Sequence, residues 1–138
     1  MDIGYVLLHA HSGLRFLVLL AGGIALAMMA WGMSAGRPYA GQSRATMAVF
    51  AGALDLQVLI GVVLLFLRPF YGALMGHILM LFAAVAVVHA LSVYARKQED
   101  ARRAHTIALA GVALALLLIV GGIMAIRPNP FSMMTPAG

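Results

Sequence analysis

The chain has 138 residues. Hydrophobic residues make up 64% and charged residues 9%, against roughly 45–50% and about 25% in soluble domains, so a bilayer must solvate most of a chain this small. The net charge of +5 is spread thinly between apolar stretches, which fits retention on the cytoplasmic side of a membrane and not nucleic-acid binding, and the absence of cysteine excludes disulfides, thiolate metal sites and a cysteine nucleophile.

The opening "MDIGYVLL" lacks the basic start of a signal peptide and is read as part of the mature protein. A spanning helix needs about 20 mostly apolar residues to cross about 30 Å of hydrocarbon. The first candidate covers residues 5–33 and carries His9, His11 and Arg15. After the breaker-rich "SAGRPYAGQSR", a second span covers 45–67, with Asp55 its only formal charge. A tight corner, "RPF", leads to a third span over 71–95 that holds His77 and His89. The charged stretch "RKQEDARR" precedes a fourth span, 104–126, which opens on His105, and 127–138 forms a short outer tail.

An Arg-Pro pair closes three of the spans, at Arg37-Pro38, Arg68-Pro69 and Arg127-Pro128. Proline stops the helix while arginine reaches the headgroups. Short connections make consecutive helices antiparallel neighbours, so residues 1–138 form one all-α, four-helix, up-down bundle in the membrane. Arg37, Arg44, Arg96, Lys97, Arg102 and Arg103 fall in the first and third connections. The positive-inside rule then puts those loops in the cytoplasm and both termini on the outer, periplasmic side. Shifting the first helix pair by 66 positions lays His11 on His77, which points to a two-fold internal repeat.

Ionisable groups in a span are costly and face the bundle interior. His11 and His77 each lie about six residues, or roughly 9 Å, below the outer start of their spans. Two histidines at equal depth on different helices are positioned to bind a haem iron from opposite faces. Gly72, Ala73 and Gly76 before His77, and Gly22 on the His11 face, leave room for the macrocycle. The plainer reading of such a histidine is a hydrogen bond between helices. His9 lies about 200° round the helix from His11 and is read as interfacial. His89 and His105, on the cytoplasmic side, are secondary candidates for another haem; otherwise they are a helix–helix contact and an interfacial anchor. Arg15, one turn beyond His11, is a cofactor-binding candidate and is expected to meet Asp55 in a buried ion pair near mid-membrane. Ten methionines raise soft-metal transport, and Met133-Met134 in the tail carries that reading. No phosphate loop, dinucleotide fingerprint, Ser-His-Asp set or paired carboxylates are present.

The segment "HSGLR" at His11 to Arg15, with "LQVLIGVVLLF", the third helix from His77 and "RRAHTIAL", resembles a family of small bacterial four-helix membrane proteins, some labelled cytochrome-b-like. Family members often carry histidine where this chain has Asp55, and an acidic residue where it has Gly76. The resemblance implies a multi-pass protein of the bacterial inner membrane associated with electron transport. The leading expectation is a b-type haem-binding subunit of a respiratory or photosynthetic complex, with His11 and His77 as axial ligands, the lipid bilayer and other subunits as partners, quinone as a further ligand, and no catalysis by this chain alone. The alternatives are a haem-free accessory subunit of such a complex and a small transporter lined by Arg15 and Asp55.

Overall fold

The computed structural model describes residues 2–129 and 131. It contains four helices, α1 (Ile3–Ser34), α2 (Gln42–Leu67), α3 (Ala73–Arg96) and α4 (Ala101–Met124). Each is long and apolar enough to cross a membrane. The chain is therefore a multi-pass, all-helical membrane protein with lipid around its outer faces. At 1.5 Å per residue α1 is about 48 Å long and the shortest helices about 36 Å, so all exceed the hydrocarbon thickness.

Local chemistry sets the ends. The Asp2 carboxylate accepts from the Gly4 amide at 3.1 Å, and the Asp100 carboxylate accepts from the Arg103 amide at 3.1 Å, so α1 and α4 start on acidic caps. Gly36 ends α1 in the left-handed region at φ 62°, and the Arg37 amide returns to the Gly32 carbonyl at 3.0 Å. That closure suits glycine because no Cβ opposes the positive φ. Arg68 ends α2 in an extended conformation, as the residue before Pro69 must.

The helices pack in a ring: α1 against α2 and α4, and α3 closely against α4, while α2 and α3 make the sparsest contact. Helices α1 and α3 therefore face each other across the centre. Small residues bring the backbones close, as they do between membrane helices. In α4 the stripe Ala104, Ala108, Gly111, Ala115 and Gly122 is buried. A Cβ on Gly122 would meet Leu81 Cδ2 at 2.5 Å, and one on Gly22 would meet Leu116 Cδ2 at the same distance. Gly22 is thus a packing position against α4 and Phe50, remote from His11, and does not make the room for a ligand that its helical phase suggests. The core between these stripes is filled by Val18, Met29, Met47, Phe50, Leu54, Val88 and Val112.

At the end with the α1–α2 and α3–α4 loops, His105 is fully buried. Its Nε2 shares a hydrogen bond with Ser43 Oγ at 2.9 Å and its Nδ1 one with the Ala101 carbonyl at 2.9 Å. Tyr39 stacks edge-on with a ring-centre distance of 5.0 Å. A Cβ at Gly32 would fall into the imidazole. Both ring nitrogens are committed, so His105 is a bolt joining α1, α2 and α4; it is neither a haem ligand nor an exposed interfacial anchor. Burial raises the Tyr39 phenol above its ordinary pKa.

Candidate functional site

The other end, which carries the N-terminus and the α2–α3 corner, holds a cavity of about 620 Å³. All four helices line it. Its wall is mainly aliphatic, with His11, Ser12 and Arg15 from α1, Gln57, Gly61 and Arg68 from and beyond α2, His77 from α3, and Arg127 beyond α4. Such volume and apolar lining suit a cofactor-sized ligand, for which cavities of roughly 300–1,000 Å³ are usual.

His11 and His77 face each other across this space. Their ring centres are 6.3 Å apart and their planes 78° from parallel. His11 is the ninth residue of α1 and His77 the fifth of α3, so equal depth arises because α1 starts farther out. The two rings are held differently. His77 Nδ1 is 2.8 Å from the Gly122 carbonyl, which fixes that nitrogen as the donor and leaves Nε2 with its lone pair. His11 Nδ1 is buried with no partner, and the Gln57 amide donates instead to the His11 carbonyl at 2.9 Å. Gly61 makes the room: a Cβ there would sit 3.1 Å from His11 Cε1.

Polar atoms without partners gather on the same wall. Besides His11 Nδ1, the buried Ser12 Oγ and Gln57 Oε1 make no hydrogen bond. Arg15 is 5% exposed and its guanidinium lies 4.6 Å from the Phe16 ring centre. Among the described residues the wall carries three arginines, Arg15, Arg68 and Arg127, and no carboxylate side chain.

The remaining candidates lie elsewhere. Asp55 does not meet Arg15: both of its oxygens lie 2.9 Å from His89 Nε2. Leu54 and Gln57, three apart, face inward on α2, and Asp55 lies about 100° further round, toward α3. His89 is therefore a helix–helix contact, and since both His105 ring nitrogens are already bonded, the two do not pair as haem ligands. His9 is exposed and stacks on Tyr5 at 4.2 Å. Among the described residues no group of three or more His, Cys, Asp or Glu is arranged for a metal ion. Met133 and Met134 lie outside the described residues.

Gln57 was legible as a further polar contact, but two contributors were invisible in the sequence: Gly61 and the Gly122 carbonyl act through helix neighbours that no spacing within one helix reveals. The fold and cavity define a class, a four-helix membrane bundle with a histidine-flanked, cation-lined chamber. Comparison with protein-family models, with curated proteins and with solved structures finds no match.

Proposed function

We propose that this protein is a b-type haem-binding membrane subunit that takes part in electron transfer within a respiratory or photosynthetic complex. The observation that carries the reading is the facing pair His11 and His77 on opposite helices, 6.3 Å apart at their ring centres. These two imidazoles would hold the haem iron, His77 through the Nε2 that its Nδ1 contact with Gly122 leaves available.

The surroundings support the same occupant. His77 is oriented through Nδ1 by a backbone carbonyl, the usual second contact of a metal-binding histidine. The aliphatic wall suits a macrocycle, and Arg15, Arg68 and Arg127 suit its carboxylates. A bound haem would supply a one-electron couple. The chain's own residues would hold the ring between α1 and α3, against the aliphatic wall.

The orientation belongs to the same proposal. Arg37, Arg44, Arg96, Lys97, Arg102 and Arg103 lie at the end opposite the cavity, so that end faces the cytoplasm and the cavity lies near the periplasmic side of a bacterial inner membrane.

The test is a reduced-minus-oxidised spectrum of purified protein loaded with haem during expression. A b-type band is expected, lost in His11→Ala and in His77→Ala but kept in His9→Ala. Pure, folded protein that takes up no haem would overturn the proposal and leave the haem-free accessory subunit as the better reading.

A further inference from the structure

The Asp55–His89 pair lies outside the cavity. Asp55 is the fourteenth of the 26 residues of α2, and His89 the seventeenth of the 24 of α3, so both sit at hydrocarbon depth. The pair nevertheless faces outward: the imidazole is 52% and the carboxylate 44% exposed. Ionisable groups inside spans almost always face protein or a water-filled cavity. His89 spends Nε2 on Asp55 and its Nδ1 makes no hydrogen bond, while the carboxylate has further lone pairs to offer.

The surroundings allow another helix to come close. On α3 the exposed residues nearest His89 in helical phase are Phe82, Ala86 and Val93, of which Ala86 is small. On α2, Gly52 lies one turn before Asp55 with open space where a Cβ would go. The seam between α2 and α3 is also the least packed of the ring.

We propose that this α2–α3 face is the interface of a symmetric dimer of the chain, in which each His89 donates through Nδ1 to the Asp55 carboxylate of the second copy. A two-fold axis normal to the membrane brings like residues to equal depth, so an acid and an imidazole side by side are self-complementary across it. A different subunit would have to supply its own donor and acceptor at this depth. The second copy already has them. The interface is separate from the haem reading and stands or falls without it.

The chain has no cysteine, so introduced cysteines report without background. Ala86→Cys is placed on the proposed face, and Leu117→Cys, at a position 71% exposed on α4, on another. A short bis-maleimide applied to native membranes should give dimer from Ala86→Cys and little from Leu117→Cys. Adding Asp55→Ala or His89→Ala should lower the yield by about threefold or more, the weight of an ordinary interhelical hydrogen bond in a membrane. Co-expressing the Asp55→Ala and His89→Ala chains under different tags restores one contact between chains and none within them. Crosslinking between tags should then exceed that of either variant alone. Equal yields on both faces, no recovery in the mixed pair, or a product with the mass of another protein would overturn the dimer.

Discussion

Replacing His105 by alanine distinguishes a bolt from a ligand. The imidazole is fully buried, fits over Gly32 and joins Ser43 to the start of α4. Truncating a buried ring of this size costs about 2–4 kcal/mol, because the surroundings collapse only partly into the space. The Ser43 hydroxyl also loses its partner, which adds about 1 kcal/mol, the net weight of one hydrogen bond. The expected loss is therefore about 3–5 kcal/mol. It can be read as a lower midpoint in SDS unfolding of detergent-solubilised protein followed by helical circular dichroism. A double-mutant cycle with Ser43→Ala should return a coupling of about 0.6–1.5 kcal/mol for the shared hydrogen bond. On the proposed haem reading, the haem band per folded molecule should be unchanged, since the cavity lies at the other end of the bundle. A variant as stable as the parent that has lost the band would refute the argument and return His105 to the ligands.

Two further outcomes follow from the packing. Gly61→Val places a branched side chain where even a Cβ approaches His11 Cε1 to 3.1 Å, so haem content should fall at least tenfold by pyridine haemochrome assay; Gly22→Ala, against Leu116 and Phe50, should instead cost about 1–3 kcal/mol and leave haem content per folded molecule intact. Tyr39→Phe removes a buried hydroxyl that has no hydrogen-bond partner, so it should be neutral or stabilise by about 1 kcal/mol, and the phenolate absorbance that it removes should be the part appearing above the usual alkaline range. The sign is fixed by burial: folding raises this pKa, so the contribution to stability is whole below about pH 10 and is lost as the pH rises through the folded value.

The helices were legible in the sequence because bilayer spans are written as long apolar runs, and Arg-Pro and glycine mark their ends. Up-down order followed from loop length alone. The meeting of His11 and His77 was legible too, since depth along a helix is read from residue number. Partner choice around the helix was not. Arg15 and Asp55 match in depth, but contact also depends on phase, and Asp55 points to the α2–α3 seam. The same gap hid the Ser43–His105 bond, which joins residues 62 apart in sequence. Glycines misled for a related reason: Gly22 shares a face with His11, yet its space is filled from α4, whereas Gly61, on another helix, provides the room.

The distribution of charge bears on what occupies the cavity. The chain has four acidic residues, and none lines the wall. Asp2 caps α1, Asp100 caps α4, Asp55 holds His89, and Glu99 lies in the α3–α4 connection at the far end. Among the described residues three arginines line the cavity, and the Asp2 carboxylate lies beside the Arg68 side chain, both about 3.5 Å from where a Gly4 Cβ would sit. On the haem reading proposed above, an amphiphile with an apolar body and carboxylates at its edge would meet the aliphatic wall, these arginines and the histidine pair together.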